Sequence, residues 1–326
     1  MTAKLSINIL YGGAGFIGTN LAKKLVSESQ SVIVVDLPEA QNWQIVEKFP
    51  SIKTLKILRN QNLVLNLSES IEKIMNFQDA TCDIIFWHLA ANSDIQASSH
   101  DASLDLDNTL KSTITALKIA SELPFVKTFV FASTSAVYGY QPGVKLSEDS
   151  KLRPISNYGV MKLASEFLIQ NTISSGVIFR PVIFRFPNVV GPFLTHGLIY
   201  DLRKQLSGGE KSIKVLGNGQ QTKQYMHVDE LIESMIFLIK HSSESVFNLG
   251  PIFGSTSVRE IVEIFQKVNC NSWEVQYGDE PSGWIGDVPQ FEFSIEKMLS
   301  YGVKPTLDSL ASVKLAMDQN RVKEID

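Results

Sequence analysis

Tyr158 and Lys162 stand four positions apart in the run Tyr158-Gly159-Val160-Met161-Lys162. On a helix that spacing stacks both side chains on one face, close enough to interact. A phenol titrates near pH 10, so work as a base near neutrality requires a drop of roughly three units, or about 4 kcal/mol. A neighbouring ammonium favours the phenolate and supplies part of that drop. The same spacing occurs in many helices that do no chemistry, so the pair acquires meaning only from what surrounds it.

A second set of residues is built for an anion. Gly12-Gly13-Ala14-Gly15-Phe16-Ile17-Gly18 follows an apolar run and opens an amphipathic segment. Gly12, Gly15 and Gly18 permit a tight turn and close approach of the backbone to a pyrophosphate, with the amides around Phe16 and Ile17 at a helix N-terminus. Eighteen residues beyond Gly18, the run Val32-Ile33-Val34-Val35 ends in Asp36. A carboxylate there accepts hydrogen bonds from adenosine ribose hydroxyls and repels a 2′-phosphate. No arginine occurs in the ten residues that follow, so the dinucleotide expected is NAD rather than NADP.

The elements that must hold these groups alternate. Short runs rich in Val, Ile, Leu and Phe lie at 5–11, 31–36, 62–66, 83–89, 126–133 and 177–186, as buried parallel strands require. Helical patterns at 16–28, 68–77, 101–122 and 155–174 lie between them. Strand then helix, repeated, predicts an α/β fold with a Rossmann doubly wound parallel sheet. After Pro187 the segments shorten, with turn signals at Gly191-Pro192, Gly208-Gly209, Gly217-Asn218-Gly219 and Gly250-Pro251. A helix at about 229–241 and a strand-like Ser245–Leu249 are expected to rejoin the sheet. The division expected is a dinucleotide-binding domain at 1–188, to which about 224–250 returns, and a smaller, discontinuous C-terminal substrate-binding lobe at 189–223 and 251–326.

Bulk composition narrows the function classes. The chain has 326 residues, 44% hydrophobic and 20% charged, which is ordinary for a globular enzyme with a full core. A net charge of −4 provides no basic footprint for nucleic acid. Cys82 and Cys270 make no disulfide framework and read as free thiols of a reducing compartment. The apolar run after Met1-Thr2-Ala3-Lys4 is too short for a secretory leader, and Arg180 and Arg185 break the run at 177–186 below membrane-spanning length. A cytoplasmic protein is expected. The five histidines show no metal-ligand spacing, so no metal is expected, and His88 reads as a core or cofactor-lining residue.

Further motifs join the first two. Phe129-Val130-Phe131-Ala132-Ser133-Thr134-Ser135-Ala136-Val137-Tyr138-Gly139 is an apolar strand ending in hydroxyls, and His88-Leu89-Ala90-Ala91 ends another. Arg185-Phe186-Pro187-Asn188-Val189-Val190-Gly191-Pro192, Leu216-Gly217-Asn218-Gly219-Gln220-Gln221-Thr222-Lys223 and His227-Val228-Asp229 continue the pattern. Together with the glycine turn and Tyr158/Lys162, these resemble the extended short-chain dehydrogenase/reductase family of NAD-dependent nucleotide-sugar epimerases and dehydratases over nearly the whole chain. Within it the chain is most similar to UDP-glucose 4-epimerase-like proteins, through Thr195–Asp201, Lys223 and Gly283-Trp284-Ile285-Gly286-Asp287-Val288-Pro289.

The resemblance implies roles. Tyr158 is the implied base, Lys162 lowers its pKa and holds the nicotinamide ribose, and Thr134 hydrogen-bonds the same sugar hydroxyl. Asn66, Leu67, Leu89, Ala90, Ala91 and Asn108 are implied cofactor contacts. Asn188, Gly217, Lys223 and Trp284 are implied contacts of the nucleotide diphosphate. Dimerisation through the helices at 104–123 and 155–174 is implied in the same way. Several positions depart from the family pattern: Tyr11 replaces a threonine, Asn66 an aspartate, and Lys111-Ser112 a Gly-Thr pair. Lys223 and Trp284 stand where better-known epimerases carry arginines; a lysine still meets phosphate as a point charge, whereas an indole does not.

The reaction class follows from the two places after Thr134. Family dehydratases carry an Asp-Glu pair there, but this chain has Ser135 and Ala136, which cannot do acid–base work on a C–H bond. The implied activity is therefore 4-epimerisation of a nucleotide sugar by transient C4 oxidation and re-reduction, with NAD held tightly. The alternatives are a C4 dehydrogenase or 4-keto reductase on a nucleotide-linked sugar or heptose, and a non-catalytic NAD-sensing protein. Intact Thr134, Tyr158 and Lys162 count against the last.

Overall fold

The structure is a computed structural model that describes residues 6–57, 69–71, 73, 83–174, 176, 179–207, 212–270, 273–284 and 286–321. Asn66, Leu67, Cys82, Ile285 and the strand expected at 62–66 lie outside the described residues, as does most of the helix expected at 68–77.

Seven parallel strands make the central sheet: β1 (Ser6–Tyr11), β2 (Ser31–Asp36), β3 (Ile52–Lys56), β4 (Asp83–His88), β5 (Val126–Thr134), β7 (Arg180–Phe186) and β12 (Val246–Asn248). Their order is β12-β7-β5-β4-β1-β2-β3. The chain therefore winds outward in both directions from β1, and the reversal falls between β1 and β4, where ligands of such sheets bind beyond the carboxyl ends of the strands. β3 was not expected from the sequence. It is an edge strand whose Ile52 alone is buried, so its apolar signal is thin.

Alternation along the strands builds two cores. Leu10, Val34, Trp87, Val130, Val182 and Phe184 face helices α1 (Phe16–Ser27) and α8 (Val228–His241), meeting Leu21, Leu25, Leu231 and Met235. Ile9, Ile33, Phe86, Phe129, Phe131 and Ile183 face the other way, onto Ala116 and Ile119 of α5 (Lys111–Glu122) and Ile169 of α6 (Asn157–Ser174). Sheets covered on both faces read as continuous apolar runs, which is why these strands were visible in the sequence.

The helix expected at 101–122 forms over 102–122 but is not α-helical throughout. After the short α2 (Trp43–Val46) and α3 (Ile95–Ser98), a four-residue α4 (Ala102–Asp105) passes into a π-turn at Leu106–Leu110 and only then into α5. A π-turn inserts an extra residue per turn and re-aims the side chains around it, and such turns gather at functional sites.

The remaining strands are short: β6 (Lys145–Leu146) pairs β15 (Glu292–Phe293), β8 (Asn188–Val190) pairs β11 (Tyr225–His227), β9 (Ser212–Val215) pairs β14 (Glu274–Tyr277), and β10 (Thr222–Lys223) pairs β13 (Thr256–Ser257). Helices α7 (Leu198–Ser207), α9 (Val258–Val268), α10 (Glu296–Ser300) and α11 (Ser309–Gln319) lie among them. A third core joins Ile199, Leu202, Ile213, Ile261, Phe265, Val313 and Met317. β12 and α8 lie with the large sheet: β12 extends it beside β7, with Phe247 opposite Phe184.

Candidate active site

The glycine turn leaves β1 at the point where the sheet reverses. Gly12 has φ +87°, and a Cβ there would fall 2.6 Å from Ala90 Cα, so the turn lies flat against the segment after β4. A Cβ on Gly18 would meet Gly13 Cα at 2.5 Å, which lets α1 close on the turn. Gly15 is different: its nearest neighbour would be Gly12 O at 3.5 Å, leaving open space in front of it. Gly15 is also the N-cap of α1, and no side chain caps that helix. Uncapped amides facing an open cradle fit an anion such as a pyrophosphate.

Asp36 closes β2 beside this turn. Its Oδ2 accepts the Ala14 amide at 2.9 Å and its Oδ1 the Leu37 amide at 2.8 Å. The carboxylate is thereby aimed and held next to the cradle, where a ribose diol would lie if a dinucleotide filled it. Leu89 and Ala90 both donate their amides to Tyr11 O, at 2.8 and 3.0 Å, so the segment after β4 borders the same cradle. The residues present fit NAD. Asn108 sits half-buried on the π-turn.

Three expected side chains meet on the far side of the reversal. Thr134 ends β5 and Lys162 and Tyr158 lie on α6. Gly159 makes this possible, because a Cβ there would strike Ala136 O at 2.7 Å and push α6 off the turn that follows Thr134. The Thr134 hydroxyl accepts the Ala136 amide at 3.2 Å and lies near enough to the Tyr158 phenol to lower its pKa. Lys162 is buried, donates to Ala132 O at 2.6 Å, and lies 5.7 Å from the centre of the Tyr158 ring.

The electrostatics differ from the sequence expectation. Burial raises the Tyr158 pKa, the charge of Asp105 raises it further, and only the Thr134 hydrogen bond lowers it. Lys162 is pushed down to about 7 by burial, against the charges of Glu166 and Asp105. In the protein alone the tyrosine is thus held as a phenol and the lysine close to losing its proton. A neighbouring ammonium by itself does not offset the desolvation of a buried phenolate.

The sequence reading missed the support beneath this set. Glu166, one turn beyond Lys162, takes Arg185 in a fork, Nε to Oε1 at 3.0 Å and Nη2 to Oε2 at 2.7 Å. Ser133 donates to the same carboxylate, and Arg185 Nη1 reaches Tyr138 Oη at 2.8 Å, which in turn donates to Asn248 at 2.7 Å. Burial works against the Arg185 charge, but the Glu166 hydrogen bonds and charge hold its pKa above the usual value. A second missed pair is Asn92 and Asp105, joined at 2.8 Å. Glu166 carried a signal, a charge four residues from Lys162 inside an apolar helix; Asp105 carried none. His88 is fully buried, bonded to Thr113 at 2.8 Å and 5.2 Å from the Phe131 ring centre, so it is a core residue, and burial holds its pKa well below normal.

The expected contacts of the nucleotide diphosphate lie on the short strands and turns after β7, and their polar groups are less fully paired. Lys223 is in an ion pair with Asp287, with its ammonium 5.2 Å from the Trp284 ring centre. Asp287 also accepts the Gly283 amide at 3.1 Å. Gly217 turns tightly over Gln221, whose Nε2 donates to Leu216 O at 3.1 Å. Asn188 Nδ2, Trp284 Nε1 and Gln221 Oε1 are buried and find no partner among the described residues. A buried polar atom without a partner is costly, and the Trp284 indole donor beside Lys223 is suited to an acceptor-rich ligand. No group of His, Cys, Asp and Glu suited to a metal occurs among the described residues.

A doubly wound sheet with an NAD-fitting turn and a Thr-Tyr-Lys set at its carboxyl edge defines a class, and comparison with known proteins agrees with it. The model of the NAD dependent epimerase/dehydratase family matches residues 9–250, and the chain belongs to that family as an NAD-dependent enzyme. A UDP-glucose 4-epimerase of Lactobacillus helveticus is 28% identical over 293 residues, covering 80% of this chain and 81% of that protein. A UDP-glucuronate 4-epimerase of Thermodesulfobacterium geofontis is 26% identical over 266 residues, 80% of each. The crystal structure of a UDP-galactose 4-epimerase superposes with a TM-score of 0.80 at 26% identity, over 96% of this chain and 98% of that one.

Proposed function

We propose that the protein is a nucleotide-sugar 4-epimerase of the UDP-glucose 4-epimerase type. The observation that carries this is the meeting of Thr134, Tyr158 and Lys162 beside the cradle, followed by Ser135 and Ala136. Proton transfer at one hydroxyl is provided for; proton abstraction from an unactivated carbon is not.

NAD, held along Gly12–Gly18, Asp36, Leu89–Ala91 and Asn108, supplies the acceptor and later the donor of the C4 hydride. Tyr158 takes the proton of the C4 hydroxyl and returns it to the same oxygen when the 4-keto sugar, turned over, regains its hydride on the opposite face of C4. Thr134 bonds both the phenol and that hydroxyl, which sets their separation and direction. Lys162, fixed on Ala132 O, supplies the charge that favours the phenolate. Lys223, Trp284, Asn188 and the Gly217 turn hold the nucleotide diphosphate, so that the sugar alone turns over between the two half-reactions. A cycle that returns its hydride has no use for cofactor exchange, which supports tight binding of NAD.

The reading includes the division of labour between a domain at 1–188, completed by 224–250, and a nucleotide-sugar lobe at 189–223 and 251–326. It also includes a homodimer. Ile114 on α5 and Val160, Phe167 and Leu168 on α6 are 38–57% exposed on neighbouring helices, an apolar face suited to a second copy. Composition and cysteine usage support a cytoplasmic enzyme; among the described residues no helix is long and apolar enough to cross a membrane.

The test is incubation with UDP-glucose or UDP-galactose. Interconversion with flat NADH absorbance is the expected outcome. Stoichiometric gain or loss of NADH would instead make the protein a C4 dehydrogenase or 4-keto reductase.

A further inference from the structure

Four charged side chains are buried around α6: Lys162 (2% exposed), Arg185 (3%), Glu166 (0%) and Asp105 (0%). Their formal charges cancel, but their bonds are not evenly shared. Glu166 gives both oxygens to Arg185 and accepts Ser133 as well. Lys162 donates to a neutral carbonyl, Ala132 O, at 2.6 Å. That leaves one buried ammonium without a bonded carboxylate and one buried carboxylate without a bonded cation. A lone buried charge of either kind is strongly disfavoured, so the two must serve each other.

The geometry around Asp105 is built to hold it. Asn92 donates from Nδ2 to Asp105 Oδ1 at 2.8 Å and to Asp94 O at 3.0 Å, while its backbone amide donates to Thr109 Oγ1 at 3.0 Å. The segment after β4 is thus clipped to the end of α4 and to the π-turn. Asp105 Oδ2 is buried and takes no hydrogen bond among the described residues. α4 and the π-turn both pack on α6, the helix of Tyr158 and Lys162.

We propose that Asp105 is the countercharge of Lys162, held by Asn92, and that the two are positioning residues which set the pH range of the Tyr158–Lys162 couple. This rests on the reading of Tyr158 as the base. The charge of Asp105 raises the proton affinity of both partners. Glu166 acts on Lys162 more strongly than Asp105 does, but it is forked on Arg185, so Asp105 is the carboxylate with no bonded cation of its own; His88 is held in its uncharged form on Thr113. Glu148 gives its backbone carbonyl to Arg185, Asp94 caps Ala97, and Asp107 pairs with Lys111 at the surface.

The experiment is the pH profile of kcat in the holoenzyme. Asp105→Asn keeps the shape and removes the charge, so both limbs should move to lower pH by about one unit, and Asp105→Glu should restore them. The protein stripped of NAD provides a reading that needs no turnover. Stabilisation with rising pH should set in near 7 in the natural protein, at the Lys162 pKa, and about one unit lower in Asp105→Asn. Should Asp105→Asn fail to fold, Asn92→Leu removes the side chain that holds the carboxylate, and both limbs should move in the same direction by a smaller amount. Unshifted limbs with a lowered rate in Asp105→Asn, or limbs unmoved in Asn92→Leu, would overturn the proposal. An active Tyr158→Phe variant would instead overturn the assignment beneath it.

Discussion

Two ion pairs, one fully buried and one only partly so, lie in different parts of this molecule, and they are not alike. Arg185–Glu166 lies under the large sheet's carboxyl edge, forked and surrounded by Ser133, Tyr138 and the Glu148 carbonyl. Lys223–Asp287 lies among the short strands after β7, a single contact beside Trp284, and buried donors on Trp284 and Asn188 find no partner among the described residues. The first pair has every atom engaged and leaves no vacancy for a ligand. In the second, an ammonium held at one point can exchange its carboxylate for a phosphate while the neighbouring donors gain acceptors. Where polar groups satisfy one another the chain is building a platform; where they do not, it is offering a surface.

That contrast can be broken at several points. Glu166→Gln leaves the Arg185 charge buried without its counterion and should cost about 3 kcal/mol of stability, measured by denaturant unfolding; a loss near zero would deny the platform role. Gly15→Ala places a methyl where nothing but ligand space lies, so NAD affinity should fall by 10–100-fold, roughly the cost of overpacking, with the melting temperature little changed. Unfolding instead would show that Gly15 packs the protein as Gly12 and Gly18 do. Lys223→Met should raise KM for the nucleotide sugar about tenfold with kcat nearly unchanged, because the charge binds ground and transition states alike. A kcat effect as large as the KM effect would move Lys223 to the chemistry.

The smallest effect is a slope. Lys162 has its folded pKa depressed to about 7 from the ordinary 10.5, so the unfolded chain binds more protons than the folded one between those values. Stability of the NAD-stripped protein should therefore rise with pH above 7, by at most about 1.4 kcal/mol per unit, and Lys162→Met should flatten the slope.

Much of the platform was legible because it is contiguous or periodic. The glycine turn and Asp36 form one strand–turn–helix–strand run, and the doubly covered strands are unbroken apolar stretches. Tyr158 and Lys162 share a helical face that spacing alone reveals. The misses share a physical cause. Asp105 sits near Asp101 and Asp107 in a stretch with an ordinary helical pattern, and only the π-turn and the packing on α6 carry it inward. The pairing of Lys223 with Asp287 joins positions 64 apart through strands of two or three residues, too short for any period. β3 was passed over because an edge strand buries little. The expected drop in the Tyr158 pKa failed because spacing shows the lysine but not the depth of burial or the second carboxylate.

The central claim is that Tyr158 moves the sugar proton beside bound NAD. Tyr158→Phe removes only the hydroxyl, so it should leave NAD bound and the melting temperature within a few degrees. Epimerase turnover by that variant, assayed on UDP-glucose, should fall by about 10²–10⁴-fold, the contribution of a positioned acid–base group. A rate within a few-fold of the natural protein, with NAD still bound, would contradict the account.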